Sequence, residues 1–137
     1  MLTWCINQPE FQASDKVVSL VYHLPEISPG TTGTIVGSHI GSIYAVQLPS
    51  GELHRWFDRS ELQPYDARLR QMNVLLPGTY ATVVSTEGHH GVATGTVVKV
   101  VKSIGQVVYY DLMIDGHGYH RWLTEFEIAL YAAVSGT

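Results

Sequence analysis

The chain has 137 residues, enough for one domain or two very small ones, and 45% of its side chains are hydrophobic while only 15% are charged. This balance favours a compact fold over disorder. The formal net charge of −4 divides evenly between residues 1–76 and 77–137, so neither part has the basic excess expected of a protein that binds the phosphate backbone of nucleic acids.

The first half of the chain is a series of predicted strands behind an aperiodic arm. Residues 1–14 show no periodicity, and Trp4 and Phe11 are expected to pin this arm to the fold, because exposed large aromatic side chains are costly. Runs of β-branched and aromatic residues between Pro and Gly turns then indicate short strands. These strands cover residues 16–22, 32–36, 43–48 and 52–57, and a single helical turn at 58–62 leads into a short last strand that Pro64 closes.

The second half repeats this plan. Its predicted strands cover residues 80–85, 95–102, 106–114 and 119–123, and a short turn at 124–128 follows. Residues 37–42 in the first copy and 103–105 in the second are predicted to turn the chain back as hairpins. Between the copies, residues 66–73 form the only predicted helix, which is too short to be stable alone and is interpreted as a connector.

The two halves are copies of one unit. His54-Arg55-Trp56 recurs as His120-Arg121-Trp122 at an offset of 66 residues, and Tyr44 recurs as Tyr110 at the same offset. Each repeat is close to the size at which a lone core is marginal, so the two are expected to pack on each other. The predicted division is an arm with the first repeat at 1–64, a connector at 65–76 and the second repeat at 77–137.

Each copy is predicted to contain a first strand, a long loop, a hairpin, a one-turn helix and a short last strand. This order resembles the SH3-like barrel, the five-stranded fold of SH3, KOW and Tudor-type modules, and the glycine-rich stretch from Gly88 to Val101 resembles the KOW signature. The resemblance implies an all-β fold of two tandem five-stranded SH3-like barrels, related by a pseudo-twofold duplication and joined by a short helical connector. It implies no ligand class, because the loops lack the basic residues of a nucleic-acid-binding KOW module, apart from Lys99 and Lys102 nearby, and lack the acidic and aromatic pattern of a peptide-binding SH3 domain.

The His-Arg-Trp strand has two interpretations. Strand alternation places Arg55 with apolar neighbours on one face and His54 and Trp56 on the other, so a barrel that buries the apolar face exposes the histidine and tryptophan of both copies. These outer faces would form a recognition surface, since Trp and Arg are common at interface hot spots. In the second interpretation, a twist or bulge moves both tryptophans into the core, and each arginine pairs with the glutamate six residues further on. The sequence slightly favours burial.

Histidine and tyrosine residues suggest two further hypotheses. The chain has seven histidines, including His89-His90 and the pair His117 and His120, and imidazole is a common ligand of transition metals. No Cys or carboxylate cluster completes a site, so no metal ion is predicted. An aromatic cage for a quaternary ammonium group would require Tyr44, Tyr109 and Tyr110 to converge with the tryptophans, whereas ordinary strand positions explain these tyrosines equally well.

Catalytic, membrane and secretory roles are not indicated. Cys5 is the only cysteine, which leaves no intrachain disulfide and no Cys-based zinc site. No stretch approaches 18 uninterrupted apolar residues and the N-terminus lacks the features of a signal peptide, so we expect a soluble cytoplasmic protein without a membrane partner. The sequence contains neither a Gly-x-Ser-x-Gly elbow nor a Gly-Lys-Ser/Thr phosphate loop, and we predict no catalytic residue and no cofactor.

The sequence therefore predicts a non-catalytic protein-binding or adaptor module. The first alternative is a KOW-like nucleic-acid-binding protein, which the acidic charge disfavours, and the second is a small enzyme or metal-binding protein. Loops at 24–32, 49–51, 86–94 and 115–118 are further predicted contacts. The candidate binding residues are His54, Arg55, Trp56, His120, Arg121, Trp122, Tyr44 and Tyr110.

Overall fold

A computed structural model describes residues 9–23 and 27–131 of the chain. Within these ranges the protein is all-β, as predicted, and no helix has the length and apolar character of a membrane span. The prediction that Trp4 pins the N-terminal arm lies outside the described residues. The strands are β1 (Lys16–Ser19), β2 (Thr32–Gln47), β3 (Leu53–Asp58), β4 (Leu62–Pro64), β5 (Tyr80–Val83), β6 (Val97–Ile114), β7 (Gly118–Thr124) and β8 (Ile128–Leu130).

β2 and β6 are each one long strand where the sequence predicted a hairpin. β2 continues through residues 37–42 and β6 through 103–105. Neither segment contains proline. Every residue in both segments therefore keeps its backbone N–H and can take part in a strand. Glycine permits a turn at these places without requiring one. Each long strand therefore continues at the place where the hairpin of a barrel would reverse the chain.

The predicted connector helix is reduced to one 3-10 turn at Ala67–Leu69. Its first N–H groups are satisfied locally, since the Asp66 carboxylate accepts a 2.9 Å hydrogen bond from the Arg68 backbone. The Arg59 guanidinium then holds the segment in an irregular path by donating to three carbonyl groups. These belong to Leu62 (2.6 Å), Arg70 (3.1 Å) and Met72 (2.9 Å).

The chain forms two compact units that do not follow the repeats. Unit 1 is Met1–Gly41 with Gln106–Thr137, and unit 2 is Ser42–Gly105. The chain passes from one unit to the other inside β2 and again inside β6, so each unit takes half of each repeat. The predicted boundaries after residues 64 and 76 mark the repeats in the sequence, whereas the compact units divide between Gly41 and Ser42 and between Gly105 and Gln106.

Each unit has five strand segments in the same relative order. In unit 1 the hydrogen-bonded order is β8, β1, the first part of β2, the second part of β6, and β7. In unit 2 it is β4, β5, the first part of β6, the second part of β2, and β3. Among the described residues the antiparallel sheet is open and does not close into a barrel. The end strands β4 and β8 are only three residues long and offer little backbone for closure.

Each unit has its own apolar core. Phe11 from the N-terminal arm is buried in unit 1, where it packs on Tyr110 of the second repeat, and Leu75 from the segment before β5 is buried in unit 2. The core of unit 1 consists of Phe11, Val17, Ile27, Ile35, Val108, Tyr110, Leu112, Ile114, Leu123 and Ile128. The core of unit 2 consists of Tyr44, Val46, Leu48, Phe57, Leu62, Leu75, Ala81, Val83, Val92, Val98 and Val100.

The charge that is even between the repeats is uneven between the units. Unit 1 contains seven acidic and two basic side chains, a formal net charge of −5. Unit 2 contains five acidic and six basic side chains, a formal net charge of +1. The exchange of strands between the repeats therefore separates charge in a way that the linear sequence conceals.

Candidate functional site

The histidines and tryptophans of the two His-Arg-Trp motifs are buried. The exposed fraction is 8% for His54, 4% for Trp56, 3% for His120 and 2% for Trp122, so the outer-face interpretation is wrong and both tryptophans are buried, as the second interpretation predicts. The cause is a β-bulge in each copy, since one more residue of β3 than of β2 lies between the pairs Tyr44–Phe57 and Val46–His54. β7 has the same irregularity against β6, and the Arg–Trp peptide bond is cis in both motifs.

Each motif arginine lies over the ring of its own tryptophan. The guanidinium carbon of Arg55 is 5.6 Å from the centroid of Trp56, and that of Arg121 is 4.7 Å from Trp122. Such cation–π contacts hold a long side chain in place. In unit 1 the Trp122 ring packs edge-to-face on Tyr109 at 4.9 Å. Of the aromatic residues in the cage hypothesis, each tryptophan therefore already lies against an arginine of the chain itself.

A buried histidine–glutamate pair lies behind each motif. In unit 2 the His89 Nε2 atom is 2.7 Å from Glu61 Oε2, and the other oxygen of Glu61 accepts from the Asp58 backbone at 2.9 Å. Both side chains are at most 1% exposed. Glu61 therefore caps the 3-10 turn and binds the long loop after β5 at once, and both its oxygens have partners other than Arg55.

Unit 1 has the same arrangement, but its histidine comes from the first repeat and its glutamate from the second. His23 Nε2 lies 2.9 Å from Glu127 Oε2, and Glu127 Oε1 accepts from the Thr124 backbone at 2.8 Å. A motif histidine packs against each pair, with ring centroids 6.3 Å apart for His23 and His120 and 5.8 Å apart in the equivalent pair of unit 2. Each pair thus joins the long loop of one repeat to the turn of the other.

Each buried pair links the long loop of one repeat to the 3-10 turn of the other. Within the described residues, no group of three or more His, Cys, Asp and Glu side chains is arranged to hold a metal ion. His89 Nδ1 is buried and has no hydrogen-bond partner among those residues. The His89–Glu61 pair is fully buried, and in the second pair the Glu127 side chain is 10% exposed.

Tyr44 and Tyr110 also have structural roles. Both are fully buried, and the Tyr44 hydroxyl accepts a 3.1 Å hydrogen bond from the backbone of Leu75. The Tyr110 hydroxyl accepts from the Phe11 backbone at 3.2 Å and donates to Glu125 Oε2 at 2.7 Å. Burial, together with the Glu125 carboxylate, raises the pKa of Tyr110 above its ordinary value. Tyr110 therefore fastens the segment before β1, and Tyr44 fastens the segment before β5.

A polar network in unit 1 has no counterpart in unit 2. His39 Nε2 lies 3.2 Å from Asp111 Oδ1, the Tyr119 hydroxyl donates to Asp111 Oδ2 at 2.5 Å, and Arg121 Nε donates to the Tyr119 oxygen at 2.9 Å. Burial opposes ionisation of Asp111, but the hydrogen bonds from His39 and Tyr119 outweigh it and lower the pKa of the carboxyl. Burial and the bond to Asp111 raise the pKa of Tyr119 to about 12. At the 66-residue offset the first repeat has Ala45 in place of this aspartate.

A groove of about 380 Å³ lies on unit 2. Its only charged lining group is Lys99, which is exposed and makes no hydrogen bond or ion pair with the described residues. Across the ladder Lys99 faces Tyr80, whose side chain is 54% exposed. We call this the Lys99 groove, and its lining residues are Gln47, Leu48, Pro49, Gly51, Tyr80, Val97 and Lys99.

No protein-family model matches the chain, and no curated protein matches it. Among solved structures it is similar to a DUF1541 family protein, ydhK from Bacillus subtilis, with 18% identity and a TM-score of 0.66 over 90% of this chain and 86% of that one. A second ydhK crystal structure has 19% identity and a TM-score of 0.64, covering 86% of this chain and 98% of that one. For a solution NMR structure of the ydhK C-terminal domain the values are 17% and 0.64, with coverage of 88% and 94%. This similarity shows the fold alone.

Sequence reasoning finds part of the Lys99 groove and misses the rest. The predicted contact loop 49–51 supplies Pro49 and Gly51, and Lys99 is one of the two basic residues near the KOW-like loop. Tyr80 and Val97 have the pattern of ordinary strand residues in the sequence. They are missed because alternation alone does not tell which face of a sheet another element covers. None of the eight candidate residues lines this groove.

Proposed function

We propose that the protein is a non-catalytic protein-binding adaptor whose contact surface is the Lys99 groove. The observation that carries the proposal is a lysine with no partner among the described residues, in a groove that also presents apolar surface. An ammonium group surrounded by apolar surface gains most from a ligand that supplies both a carboxylate and apolar side chains. The expected ligand is therefore an acidic peptide segment of a partner protein, with apolar residues beside its carboxylate.

We further propose that each unit is an SH3-like module with an open sheet. Support comes from the five strand segments in each unit, the long loop after the first strand and the 3-10 turn before the last. In this proposal each unit takes half of each repeat, and this exchange replaces the usual hairpin. It leaves a sheet face beside Tyr80 and Val97 open to a ligand.

A nucleic-acid ligand fits the Lys99 groove less well than a peptide. Binding a phosphate backbone takes several cations in a row, and the groove contains one. Unit 2 as a whole has a formal net charge of only +1. A steep fall of affinity with salt for single-stranded DNA or RNA would favour the nucleic-acid alternative over the proposal.

The test compares partner capture by the wild type with capture by two lysine variants. Full-length protein is immobilised, and proteins retained from an extract of its host are identified by mass spectrometry. Lys99→Gln is expected to lose the specific partner, because it removes the only charge in the groove. Lys102→Gln is the matched control, since this exposed lysine stands three residues along the same strand and does not line the groove.

The captured partner then supplies the decisive measurement. Acidic peptides of that partner are titrated by fluorescence anisotropy, and Lys99→Gln should weaken binding about tenfold, as a lost charge-assisted contact does. Equal binding by Lys99→Gln and Lys102→Gln would remove the groove from the proposal. Binding confined to peptides without acidic residues would contradict the proposed ligand class.

A further inference from the structure

Three large apolar side chains are exposed around one turn of unit 1. Leu20, Tyr22 and Phe126 are 48%, 62% and 81% exposed. The Leu20 backbone donates to the Glu127 carbonyl at 2.8 Å, and Phe126 directly precedes Glu127. Tyr22 directly precedes His23, the imidazole partner of the Glu127 carboxylate. The three residues therefore lie in backbone segments that meet at Glu127, and we call them the Phe126 patch.

The fold does not require a phenylalanine at this turn. In unit 2 the residue at the equivalent position is Ser60, and the turn there has the same capping glutamate and the same histidine partner. The residue before it is also reversed in charge, with Glu125 in unit 1 and Arg59 in unit 2. A clustered apolar surface that the fold does not need is typical of a contact site for another molecule.

The patch belongs to a unit in which acidic side chains outnumber basic ones. Unit 1 has a formal net charge of −5, and its two basic side chains are both engaged by groups of the unit itself. Lys16 Nζ lies 2.5 Å from Asp115 Oδ2. Arg121 donates to Tyr119 and lies over the Trp122 ring. A ligand with lysine or arginine side chains is therefore attracted to this unit.

We propose that the Phe126 patch docks a basic segment of a protein partner that carries apolar side chains between its lysines or arginines. The apolar side chains of the segment cover Phe126, Tyr22 and Leu20, and its cations meet the acidic field of unit 1. This surface is distinct from the Lys99 groove, which belongs to unit 2 and selects acidic segments. The chain then carries two docking surfaces of opposite charge preference, and either one can fail without the other.

The test uses the full-length chain and two synthetic peptides. One consists of leucine and lysine, and the second has glutamate in place of every lysine. Fluorescence anisotropy should show that the lysine peptide binds the wild type and that Phe126→Ser weakens this binding about tenfold, the usual loss for an aromatic anchor. Phe126→Ser introduces the residue that unit 2 uses at this position, so the fold is expected to tolerate it. Leu53→Ser in unit 2 is the matched control, because Leu53 is also strongly exposed, at 63%.

The outcomes separate docking of a basic segment from the alternatives. An unchanged thermal midpoint for Phe126→Ser, with weaker binding of the lysine peptide and no change in Leu53→Ser, supports the proposal. An equal loss of lysine-peptide binding in Phe126→Ser and Leu53→Ser, or no binding of the lysine peptide, overturns it. Sedimentation velocity tests the remaining alternative, in which a second copy of the chain occupies the patch. If the wild type self-associates and Phe126→Ser abolishes this, the patch is assigned to a second copy.

Discussion

His89 Nε2 lies 2.7 Å from Glu61 Oε2 in the interior of unit 2, although 28 residues separate the two in the chain. The histidine comes from the second repeat and the glutamate from the first. The equivalent pair in unit 1, His23 and Glu127, takes its histidine from the first repeat and its glutamate from the second. Each repeat therefore contributes to both units, and each compact unit depends on chemical groups from both repeats.

Removing the Glu61 carboxylate should destabilise the protein strongly. Glu61→Leu leaves His89 buried without its partner and the Asp58 N–H without its acceptor, so we expect the free energy of unfolding to fall by about 3 kcal/mol. Urea denaturation followed by tryptophan fluorescence measures this loss. Glu52→Leu is the control, because Glu52 is exposed, and its effect should stay within about 0.5 kcal/mol. Similar stability of the two variants would show that the buried pair contributes nothing.

The Asp111 network should make stability depend on pH in the acid range. Because the pKa of Asp111 is lowered in the folded protein, its contribution is fully present above the unfolded-state pKa of 3.8 and is lost as the pH falls through the folded-state value. Asp111→Asn cannot ionise, so it should be less stable than the wild type by about 1–2 kcal/mol at about pH 7, and the difference should shrink at about pH 3.

Urea denaturation at several pH values measures the difference between the Asp111→Asn variant and the wild type. His39→Gln removes one of the two side-chain donors to Asp111 and should reproduce part of the same pH dependence. Glu52→Gln, at an exposed carboxylate, serves as the control with no expected change in the acid range. A stability difference for Asp111→Asn that stays constant with pH would contradict the assignment.

The strands and the repeat can be predicted from the sequence, but the pairing of the strands cannot. Hydrophobic alternation locates the strands, and the 66-residue offset identifies Tyr44 and Tyr110 as equivalent positions. The segment 37–42 is compatible both with a turn and with extended backbone, and only the long-range pairing of β2 with β6 decides between them. A local pattern carries no information about that choice.

The buried histidines illustrate the same limit for the site. His23 and His89 are separated by 66 residues, the spacing of the repeat, which is a usable signal that both have one role. Their partners are not predictable, because Glu61 and Glu127 follow an arginine that offers a simpler ion pair in the linear sequence. Strand alternation allows a bulge that buries Trp56 without requiring one, and the register between β2 and β3 establishes it.

A cut in the connector should leave the protein assembled. Cleavage between Gln71 and Met72, at a protease site inserted in this exposed segment, yields fragments 1–71 and 72–137. The core of unit 2 takes Tyr44 and Phe57 from the first fragment and Val83 and Val98 from the second, and the core of unit 1 is divided in the same way. The fragments should therefore co-elute in size-exclusion chromatography under native conditions and separate in about 6 M urea.

The separated fragments show whether folding needs both repeats in each unit or whether each repeat can fold alone. A monomeric fragment 72–137 contains only half of each core, and half a core buries too little apolar surface to offset the entropy of ordering the chain. It should show no cooperative unfolding transition, and mixing it with fragment 1–71 should restore one. Cooperative unfolding of the monomeric fragment by itself would mean that each repeat can form a complete module, and the exchange of strands would then not be needed for folding.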